Sequence, residues 1–366
     1  MAVINQYFVA GDIYGVTTGG TLCDRLILEK LQKKTAVLLH ISTLGSWWPF
    51  PNKPGLAGLL ANIRNSMLVF PRNSVVWIDN GSYRDIFLAV WIWRVLYKIK
   101  VINILYHLDS NVAKGWRISY RRLIERCLLK ASDEIISISS STLSQAVSRG
   151  VPPSHCSIIP VSRRFDPHRI PPPQRDAGRH DEVIFLFVGT IDSRKGLTDA
   201  LIALTSYQGP AKLRFRCAGD YNPESEYWQK LHDIISQHPH VKVDFLGRIP
   251  HEDLQQEFEN ADVFLFPSYW EGYGIVIEEA FCFGLPVIAY NAGSIPELFS
   301  HDPKEGWLIP LHDENALIRS VAECIENPSL RIKRGQSAYK RALELVTPFD
   351  WDVYVDNMIH KLHYQR

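Results

Sequence analysis

Two glutamates with seven residues between them lie in the most informative part of the chain, 267–280. Gly272 and Gly274 follow the first acid, Glu271, and the second, Glu279, lies in an apolar, helix-like run. A glycine-rich turn from a strand into a helix leaves backbone N–H groups unpaired, and these bind anions such as phosphate. The two carboxylates can accept hydrogen bonds from hydroxyl groups on either side of that phosphate. The segment therefore predicts a site for a sugar nucleotide.

Two adjacent cations, Arg194 and Lys195, follow the apolar run 183–188 and precede Gly196. A guanidinium and an ammonium at the end of a strand can neutralise the diphosphate of a leaving nucleotide. The alternative is that both are solvated cations of a surface turn. Because they lie in the same half of the chain as Glu271, we interpret them as part of the same site.

Three further places give weaker signals. Gly19 and Gly20 precede a helical run and permit close approach of a ligand, although the spacing of nearby glycines does not fit the dinucleotide-binding pattern GxGxxG. His107 ends an expected strand, where it either faces a sugar or is simply packed, and Asp109 can orient a partner or cap the following segment. Arg248 and Ile249 follow another strand, and their backbone either holds a nucleotide base or forms a structural loop.

Glu278 is the immediate neighbour of Glu279, so on a helix the two side chains point in different directions. Only one of them can share a face with the site, and we choose Glu279. Other chemistries fit less well, because the chain contains no GxSxG elbow, no phosphate-binding GxxxxGK loop and no HExxH sequence.

Short apolar runs alternate with helical patterns, and such alternation predicts parallel sheets covered by helices on both faces. In the first half we expect strands at 36–41, 75–78, 101–106, 134–139 and 157–160. In the second half we expect strands at 183–188, 213–218, 241–245, 263–267, 286–289 and 306–309. We expect helices at 20–33, 83–98, 120–131, 141–149, 196–207, 226–238, 252–260, 275–283 and 314–326, and a further helical stretch that ends near residue 345.

The chain is therefore predicted to be an α/β protein of two domains, 1–165 and 183–346. The segment between them, 166–182, is proline-rich, polar and without periodicity, which predicts a linker. Open parallel sheets bind ligands at the carboxyl ends of their strands. Pro348 interrupts the chain, and we expect residues 347–366 to contain a final helix that packs back on the first domain.

Composition excludes several classes of protein. The 366 residues carry a formal net charge of +1, so no global field favours a nucleic-acid partner. The six cysteines include no CxxC pair, which argues against a zinc site and a disulfide framework and is typical of a reducing cytosol. The N-terminus lacks a basic region followed by an apolar core, so no signal peptide is expected.

The most apolar stretch, 86–105, is interrupted by charged side chains and does not predict a membrane span. The first interpretation is a buried helix followed by a core strand. The second is a helix at a membrane surface, with aromatic residues near cations. The residues concerned are Trp91, Trp93 and Tyr97 with Arg94 and Lys98. The aromatic segment 47–50 allows a membrane contact, an acceptor wall or simple packing.

The second half of the chain resembles the retaining GT-B glycosyltransferases of family GT4, the "glycosyl transferases group 1" set. The family pattern is Glu-Gly-Phe-Gly followed four residues on by Glu-Ala, and it stands here as Glu271-Gly-Tyr-Gly274 and Glu279-Ala280. The strings at 261–268, 284–289 and 291–297 also resemble the family. The resemblance is dense from 183 to 309 and weaker in the first domain, as expected when the second domain binds the donor and the first binds varied acceptors.

The resemblance implies a GT-B fold, two Rossmann-like domains with parallel sheets facing a central cleft. It implies transfer of a sugar, with retention of configuration, from a UDP- or GDP-sugar to a hydroxyl of a glycan, a lipid-linked sugar or a small molecule. The reaction would serve polysaccharide or glycoconjugate biosynthesis in the cytoplasm, including the inner face of the membrane. It is attributed to front-face substitution that relies on charge stabilisation and positioning. No metal or other cofactor is expected, and the chain shows no DxD motif.

Site roles follow from the resemblance residue by residue. Glu271 would bind hydroxyls of the donor sugar, and Glu279 the ribose. Arg194 and Lys195 would stabilise the diphosphate, and His107 would lie beside the transferred sugar. The phosphate cradle would be completed by the glycine turn with the backbone amides that follow it, and by a loop of the first domain: Gly272, Gly274, Ile275 and Val276, with Gly19 and Gly20.

Two departures from the family pattern stand out. Thr190 occupies a position where many members carry arginine, so Arg194 is expected to supply that charge. The usual Asn-Gly-Val-Asp string is replaced by Val161-Ser-Arg-Arg164, whose arginines can reach an anionic ligand.

Two alternative functions remain. One is a nucleotide-sugar epimerase or isomerase on the same fold, which would turn over donor without acceptor. The other is a non-catalytic subunit that binds a sugar nucleotide.

Overall fold

The computed structural model describes residues 5–10, 13–14, 19–33, 37–40, 54–111, 115, 117–161, 163–172, 182–346 and 348–364. The aromatic segment 47–50 lies outside these residues. The chain divides into two compact units. Unit 1 consists of Met1–Ser162 together with Pro348–Arg366, and unit 2 of Arg163–Thr347.

Unit 1 contains a six-stranded sheet whose paired strands are all parallel. Its strands are β1 (Gln6–Ala10), β2 (Val37–His40), β3 (Val75–Asp79), β4 (Lys100–Ile104), β5 (Glu134–Ser137) and β6 (Cys156–Ile158). The helices between them are α1 (Gly19–Gln32), α2 (Pro54–Asn65), α3 (Tyr83–Tyr97), α4 (Arg117–Ala131) and α5 (Ser140–Ser148). The strand order is β2-β1-β3-β4-β5-β6, so the chain first adds a strand on one side of β1 and then continues on the other side.

The strands of unit 1 are apolar at successive positions rather than at alternate ones, as expected for a sheet covered on both faces. The four residues of β3 that precede Asp79 are all fully buried, including the large side chain of Trp77. Asp79 ends β3, and its carboxylate accepts a hydrogen bond from the backbone N–H of Gly81 at 2.7 Å. This capping bond fixes the turn into α3 at the carboxyl edge of the sheet.

The stretch 86–105 forms most of α3 and all of β4. The prediction of a core strand is confirmed, whereas α3 is buried along only one side. Trp93 is fully buried and Arg94 binds Asp133 and the carbonyl oxygen of Ala131, so neither belongs to an open surface. The helix exposes other residues instead: Leu88, Trp91, Ile92, Val95 and Leu96. Among the described residues, none of the helices has the length and hydropathy needed to cross a membrane.

Unit 2 contains a second six-stranded sheet of parallel pairs. Its strands are β7 (Glu182–Val188), β8 (Lys212–Ala218), β9 (Val241–Gly247), β10 (Val263–Phe266), β11 (Val287–Asn291) and β12 (Gly306–Pro310). Its helices are α6 (Leu197–Thr205), α7 (Glu226–Gln237), α8 (His251–Asn260), α9 (Ile275–Cys282), α10 (Ile295–Leu298), α11 (Glu314–Glu326) and α12 (Pro328–Leu345). One large apolar core extends over both faces of this sheet.

The strand order of unit 2 is β12-β11-β10-β7-β8-β9. The chain runs from β7 outward to β9 and then returns to place β10 on the other side of β7. Neighbouring loops at such a reversal point lead to opposite faces of the sheet and leave a crevice at the carboxyl ends of the strands. The loops that follow β7 and β10 therefore lie side by side.

The last helix, α13 (Trp351–Tyr364), belongs to unit 1. Its Lys361 ammonium donates to the buried carboxylate of Glu134 at 2.6 Å and to the carbonyl oxygen of Ser154 at 2.9 Å. The described parts of the expected linker, 166–172 and Glu182, lie in unit 2, and Glu182 already belongs to β7. There the hydroxyl of Tyr339 donates to the carbonyl oxygens of Pro167 and Ile170. Unit 2 is thus one continuous segment, and unit 1 is made of two.

Candidate functional site

The loop after β7 and the loop after β10 are held in close contact. Gly196 has a φ of +71°, and a Cβ atom there would lie 2.0 Å from the carbonyl oxygen of Pro267. Only glycine fits such an approach without displacing the backbone. The N–H of Tyr269 donates to the carbonyl oxygen of Arg194 at 2.9 Å, which joins the two loops directly. Side chains of both loops are therefore brought to one place.

Three side chains converge on one carboxylate oxygen, Oε1 of Glu271. Lys195 Nζ lies 2.7 Å from it, Arg194 Nη1 3.0 Å and the hydroxyl of Ser268 2.6 Å. Arg194 Nη1 also donates to the carbonyl oxygen of Trp270 at 2.6 Å. The sequence predicted that the two cations and the glutamate share a site, and the structure brings them together.

The charges of this cluster are held in place by partial burial. The side chains of Lys195 and Glu271 are 11% and 12% exposed. Burial alone would raise the pKa of Glu271, but the charges of Lys195 and Arg194 outweigh it and the pKa lies below its ordinary value. The Lys195 ammonium also lies 4.9 Å from the centre of the Phe266 ring, a distance at which the ring face attracts a cation. Glu271 is therefore ionised, and two cations share its single negative charge.

The backbone of Glu271 is fixed by the turn after β11. Gly293 has a φ of +59°, and a Cβ atom there would lie 2.3 Å from the carbonyl oxygen of Glu271. The N–H of Ser294 donates to the same oxygen at 3.1 Å. The hydroxyl of Ser294 donates to the carbonyl oxygens of Glu271 and Gly272. Loops after three adjacent strands thus fix one carboxylate.

Helix α9 begins directly after this turn. Gly274, at the position that caps the helix, has a φ of +91° and offers no side chain to the first N–H groups. The first N–H groups of an α-helix have no partner within the helix and carry partial positive charge. Those of Ile275 and Val276 are the N–H groups that the sequence analysis assigned to phosphate.

Two adjacent arginines bind the two adjacent glutamates of α9. Arg163 Nε donates to Glu278 Oε1, and its Nη2 donates to the carbonyl oxygen of Leu345 at 2.7 Å. Arg164 binds both carboxylate oxygens of Glu279, with Nε 2.6 Å from Oε1. Both glutamates are 1% exposed. An unpaired carboxylate would be costly there, so each arginine stabilises its glutamate.

The two carboxylates point to different partners, as expected for neighbours on a helix. The sequence did not indicate that Glu278 would be as buried as Glu279. Burial raises the pKa of Glu278, and the charge of Arg163 and the hydroxyl of Tyr273 oppose that rise only in part. Tyr273 donates to Glu278 Oε2 at 2.8 Å. Glu278 therefore has a structural environment of its own.

Arg248 and Ile249 follow β9, at the far edge of the sheet. The guanidinium of Arg248 binds the carboxylate of Asp220, and both side chains are about half exposed. The carbonyl oxygen of Asp220 accepts from the N–H of Ile191, in the loop after β7. This pair therefore lies at the same carboxyl edge as the Glu271 cluster but outside the cluster itself.

In unit 1, His107 follows β4 and is bound to a carboxylate. Its Nε2 atom lies 3.0 Å from Asp109 Oδ1, and its side chain is 46% exposed. The hydroxyl of Tyr83 donates to Asp109 Oδ2 at 3.0 Å, and Arg121 Nη1 lies 3.7 Å from the same oxygen. These contacts hold one edge of the imidazole ring and leave the ring open to solvent.

Gly19 and Gly20 begin α1, beside a buried acid. A Cβ atom on Gly20 would lie 3.1 Å from the ring of Tyr106, whose hydroxyl donates to Asp24 Oδ1 at 2.6 Å. Burial raises the pKa of Asp24, and the nearby charge of Asp79 raises it further. The turn at Gly20 is therefore packed against a side chain that follows β4, two strands along from β1. Gly19, Gly20 and His107 belong to unit 1, and the other expected site residues belong to unit 2.

The sequence did not indicate Ser268 and Ser294 as supporting residues and did not pair Arg164 with Glu279. Asp109, which was expected to orient a partner or to cap the next segment, binds His107. Ser268 had one usable signal, since it follows a buried strand and comes three residues before Glu271. The arginine pairing had none, because 115 residues separate the two side chains. Within the ranges that the structure describes, no group of three or more His, Cys, Asp or Glu side chains could hold a metal ion.

The part of the chain that matches a known family lies within unit 2. Residues 173–341 match the family described as "Glycosyl transferases group 1". A protein described as "Uncharacterized 41.2 kDa protein in cps region", from Klebsiella pneumoniae, is 30% identical over 243 residues, which cover 63% of this chain and 65% of that protein. The chain spans less than two thirds of the length of the first curated relatives that it matches.

Solved structures resemble the whole chain. A sucrose-phosphate synthase from Thermosynechococcus elongatus superposes with a TM-score of 0.75 at 19% identity, covering 98% of this chain and 99% of its own. The Anabaena protein HepE, in complex with UDP and glucose, superposes with a TM-score of 0.69 at 16% identity, covering 98% and 100%. Together with the two parallel-sheet units, these likenesses show that the fold is GT-B.

Proposed function

We propose that the protein is a glycosyltransferase that moves a sugar from a nucleoside-diphosphate sugar to a hydroxyl group of an acceptor. The observation that carries this proposal is the cluster of Arg194, Lys195 and Glu271 at the reversal point of the unit 2 sheet. The match of residues 173–341 to the glycosyl transferases group 1 family supports it. The reaction would belong to polysaccharide or glycoconjugate biosynthesis.

The two cations suit a diphosphate leaving group. Arg194 and Lys195 together carry two positive charges, and Glu271 neutralises one, so the cluster retains one positive charge for an incoming anion. Negative charge grows on the diphosphate as the sugar departs. Cations that are already oriented stabilise that charge without the cost of reorganising solvent. Lys195 is the better oriented of the two, since its side chain is 11% exposed and that of Arg194 is 34% exposed.

Glu271 suits the sugar hydroxyls. Among the described residues, its contacts with Arg194, Lys195 and Ser268 all use Oε1. A donor hydroxyl would bind Oε2, while Oε1 stays with the cations. The N–H groups of Ile275 and Val276 would bind the phosphate, because a helix N-terminus favours an anion.

Glu279 would bind the ribose only by sharing its oxygens with Arg164. The two are bound in a bidentate pair, so ribose hydroxyls have to share or replace the contacts of Arg164. The base would lie near the backbone of Arg248 and Ile249. We assign His107 a place beside the transferred sugar and the Gly19–Gly20 loop a place beside the phosphates.

We further propose that the enzyme is a GT4 member, retains anomeric configuration and needs no metal. Its donor is a UDP- or GDP-sugar. The UDP-sugar is supported by HepE, which shares the fold and was crystallised with UDP and glucose. The acceptor is a hydroxyl of a glycan, a lipid-linked sugar or a small molecule. We place the enzyme in the cytoplasm, at the inner face of the membrane when its acceptor is lipid-linked.

The experiment that tests this proposal has two stages. A thermal-shift screen of UDP, GDP, ADP and their sugars identifies the donor, because a ligand that binds only the folded state raises the melting temperature. Release of the nucleoside diphosphate is then measured with and without candidate acceptors. The proposal predicts acceptor-dependent release. Conversion of the donor into an isomeric nucleotide sugar without an acceptor, detected by chromatography, would indicate an epimerase or isomerase, and binding without turnover would indicate a silent subunit.

The variant Lys195→Ala is expected to lower kcat by about a hundredfold or more, because it removes an oriented charge from the leaving group. The matched control is Lys212→Ala, an exposed lysine of the same unit at the opposite end of a strand. Steady-state kinetics with the identified donor provide the measurement. Equal kcat values for the two variants would remove the cluster from the site.

A further inference from the structure

Helix α3 carries an apolar stripe on the outside of unit 1. Leu88, Trp91, Ile92, Val95 and Leu96 are exposed, and the last four line one shallow depression. Val95 is 75% exposed, an unusual state for a large apolar side chain on a regular helix. Contiguous apolar surface of this kind marks a place where a soluble protein meets a partner.

The stripe continues onto the helices on both sides of α3. Trp91 Nε1 donates to the carbonyl oxygen of Cys127 at 3.2 Å, which places α4 beside the stripe. Leu123, one turn before Cys127, is 63% exposed. On the other side, Asn62 of α2 accepts from the N–H of Leu88 at 2.8 Å. Exposed apolar residues of α2 and of the segment after it include Leu59, Ile63, Met67 and Val69. We call the exposed surface of α2, α3 and α4 the α3 face.

The segment that contains the α3 face is rich in cations. Residues 54–131 contain twelve Lys and Arg and four Asp and Glu, a net charge of +8 in a chain whose total is +1. The rest of the chain therefore carries −7. None of the four acids is exposed, whereas eight of the described cations are. The exposed cations are Arg64, Arg72, Arg84, Lys98, Arg117, Arg122, Arg126 and Lys130.

This combination of charge and apolar surface favours a lipid bilayer over a second copy of the chain as the partner of the α3 face. A second copy of the chain bound face to face would bring these cations against one another, and like charges across an interface are unfavourable. An anionic lipid bilayer offers an apolar layer for the exposed side chains and negative headgroups for the cations. Long Arg and Lys side chains reach the headgroups while neighbouring apolar residues enter the interface.

We propose that the α3 face binds the surface of a bilayer that contains anionic phospholipid. Val95 and Leu123 enter the headgroup boundary, and Arg126 and Lys130 bind the phosphates. Leu123, Arg126 and Lys130 follow one another at intervals of three and four residues and so share one side of α4. This inference goes beyond sugar transfer, because the face can bind lipid whether or not the Glu271 cluster binds a nucleotide.

The test is flotation of the full chain with vesicles. We use vesicles of phosphatidylcholine alone and of an equimolar mixture with phosphatidylglycerol. The protein is expected to float with the anionic vesicles and to float far less with the neutral ones. At about 1 M salt, where the Debye length is about 3 Å, binding to the anionic vesicles should weaken strongly. Failure of the wild-type protein to float with anionic vesicles would overturn the proposal.

Two double variants assign the binding to the α3 face. Val95→Ser with Leu123→Ser removes apolar surface, and Arg126→Glu with Lys130→Glu reverses two charges. Each pair is expected to lower vesicle binding about tenfold or more. The matched controls are Val353→Ser, an exposed valine of α13, and Arg319→Glu, an exposed arginine of unit 2. Controls should float like the wild type, and melting curves check that every variant is folded.

The outcomes separate this proposal from the proposed function. The membrane proposal would be wrong if the variants of the α3 face floated like the wild type. It would also be wrong if no form of the protein bound vesicles and sedimentation detected a concentration-dependent dimer that the Val95→Ser and Leu123→Ser pair abolished. The thermal shift caused by the nucleotide should persist in every variant of the face. Its absence from the wild-type protein would count against sugar-nucleotide binding and leave the flotation result intact.

Discussion

At the scale of single residues, the candidate site is organised around unequal charges. Glu271 has two cationic partners, whereas Glu278 and Glu279 have one arginine each. The Glu271 cluster has a net charge of +1 that can bind an anionic ligand, whereas each pair of arginine and glutamate is neutral. Under the proposed function, Glu271 and its cations act on the diphosphate sugar, whereas the arginine pairs hold α9 in place.

The pair of Arg164 and Glu279 can be tested by a double-mutant cycle. Arg164→Met leaves a carboxylate that is 1% exposed without its partner, and we expect a loss of about 3–5 kcal/mol of unfolding free energy. Adding Glu279→Gln removes that stranded charge, so the double variant should be more stable than Arg164→Met alone. Urea unfolding measures the stability of both variants.

Glu279→Ala also tests ribose binding. Its donor KM should rise strongly if the ribose binds Glu279.

An exposed ion pair provides the control for this cycle. Arg169 and Asp166 lie 3.4 Å apart with side chains 87% and 46% exposed. Arg169→Met should change the unfolding free energy by no more than about 0.5 kcal/mol. If the effects of the Arg164 and Glu279 substitutions simply add, the two residues are not coupled and the prediction is wrong.

Asp109 makes part of the stability of unit 1 depend on pH. Burial alone would raise its pKa, but hydrogen bonding and charge from His107 and the bond from Tyr83 lower the pKa to about 2. A depressed pKa means that the stabilisation is complete above the ordinary value, 3.8, and is lost as the pH falls through that value towards 2. Asp109→Asn should therefore lose about 2 kcal/mol at neutral pH and less in acid.

Unfolding of Asp109→Asn and the wild type in urea, at neutral pH and at about pH 3, measures this dependence. Asp302→Asn is the control, because the side chain of Asp302 is 83% exposed. An equal difference between Asp109→Asn and the wild type at both pH values would contradict the role given to its carboxylate.

At the scale of elements, the important contact is that between the loops after β7 and β10. Gly196→Ala should separate them, because its Cβ atom would overlap the Pro267 carbonyl oxygen and its φ is positive. We expect a loss of stability above the roughly 1–2 kcal/mol that positive φ costs an alanine, together with a lower kcat. Thermal unfolding and steady-state kinetics measure the two effects.

Gly150→Ala controls for backbone strain alone. Gly150 also has a positive φ, +97°, but a Cβ atom there would meet nothing within 4 Å. It should show the cost of positive φ without any effect on kcat. Equal results for Gly150→Ala and Gly196→Ala would show that the loop contact does not matter.

The sequence predicted the elements of unit 2 well because its strands are long, buried runs between clear turns. All six of its expected strands are confirmed, and Arg194, Lys195 and Glu271 lie in contact with one another. The short helix α10, Ile295–Leu298, was not expected. The other differences concern ends: α6 begins at Leu197 because Gly196 takes a left-handed conformation. The parallel, two-layered pattern and the position of loops at strand ends were enough to place this cluster.

Unit 1 was harder to predict from the sequence. Strand β1, Gln6–Ala10, was missed because it is only five residues long and no helical pattern precedes it to mark an alternation of strand and helix. Helix α2, Pro54–Asn65, was missed because it contains proline and glycine, which favour other conformations when tertiary contacts are ignored. The pairing of Arg164 with Glu279 depends on contacts over 115 residues, which local patterns do not encode.

At the scale of the whole molecule, the start of unit 2 has consequences for dissection. Arg163 and Arg164 begin the unit that contains both of their glutamates, whereas the sequence placed the start of the linker at residue 166. A fragment of residues 163–347 keeps both ion pairs. A fragment of residues 166–347 leaves the two buried carboxylates without their arginines.

We therefore expect the fragment of residues 163–347 to fold and the shorter fragment to be destabilised by at least about 3–5 kcal/mol, the cost of stranding one buried charge. Urea unfolding of the two fragments measures the difference. Addition of the donor nucleotide should raise the melting temperature of the longer fragment, because its Glu271 cluster is complete. Equal stability of the two fragments would contradict the role of the arginines.

The membership of α13 in unit 1 means that the polypeptide passes between the units twice, near residues 162–163 and 347–348. Unit 2 is in effect an insertion with two junctions. Recombination at those two junctions would exchange it as a single cassette and leave both parts of unit 1 in place. Such an exchange would replace the Glu271 cluster as a whole and leave α2, α3 and α4 of unit 1 unchanged.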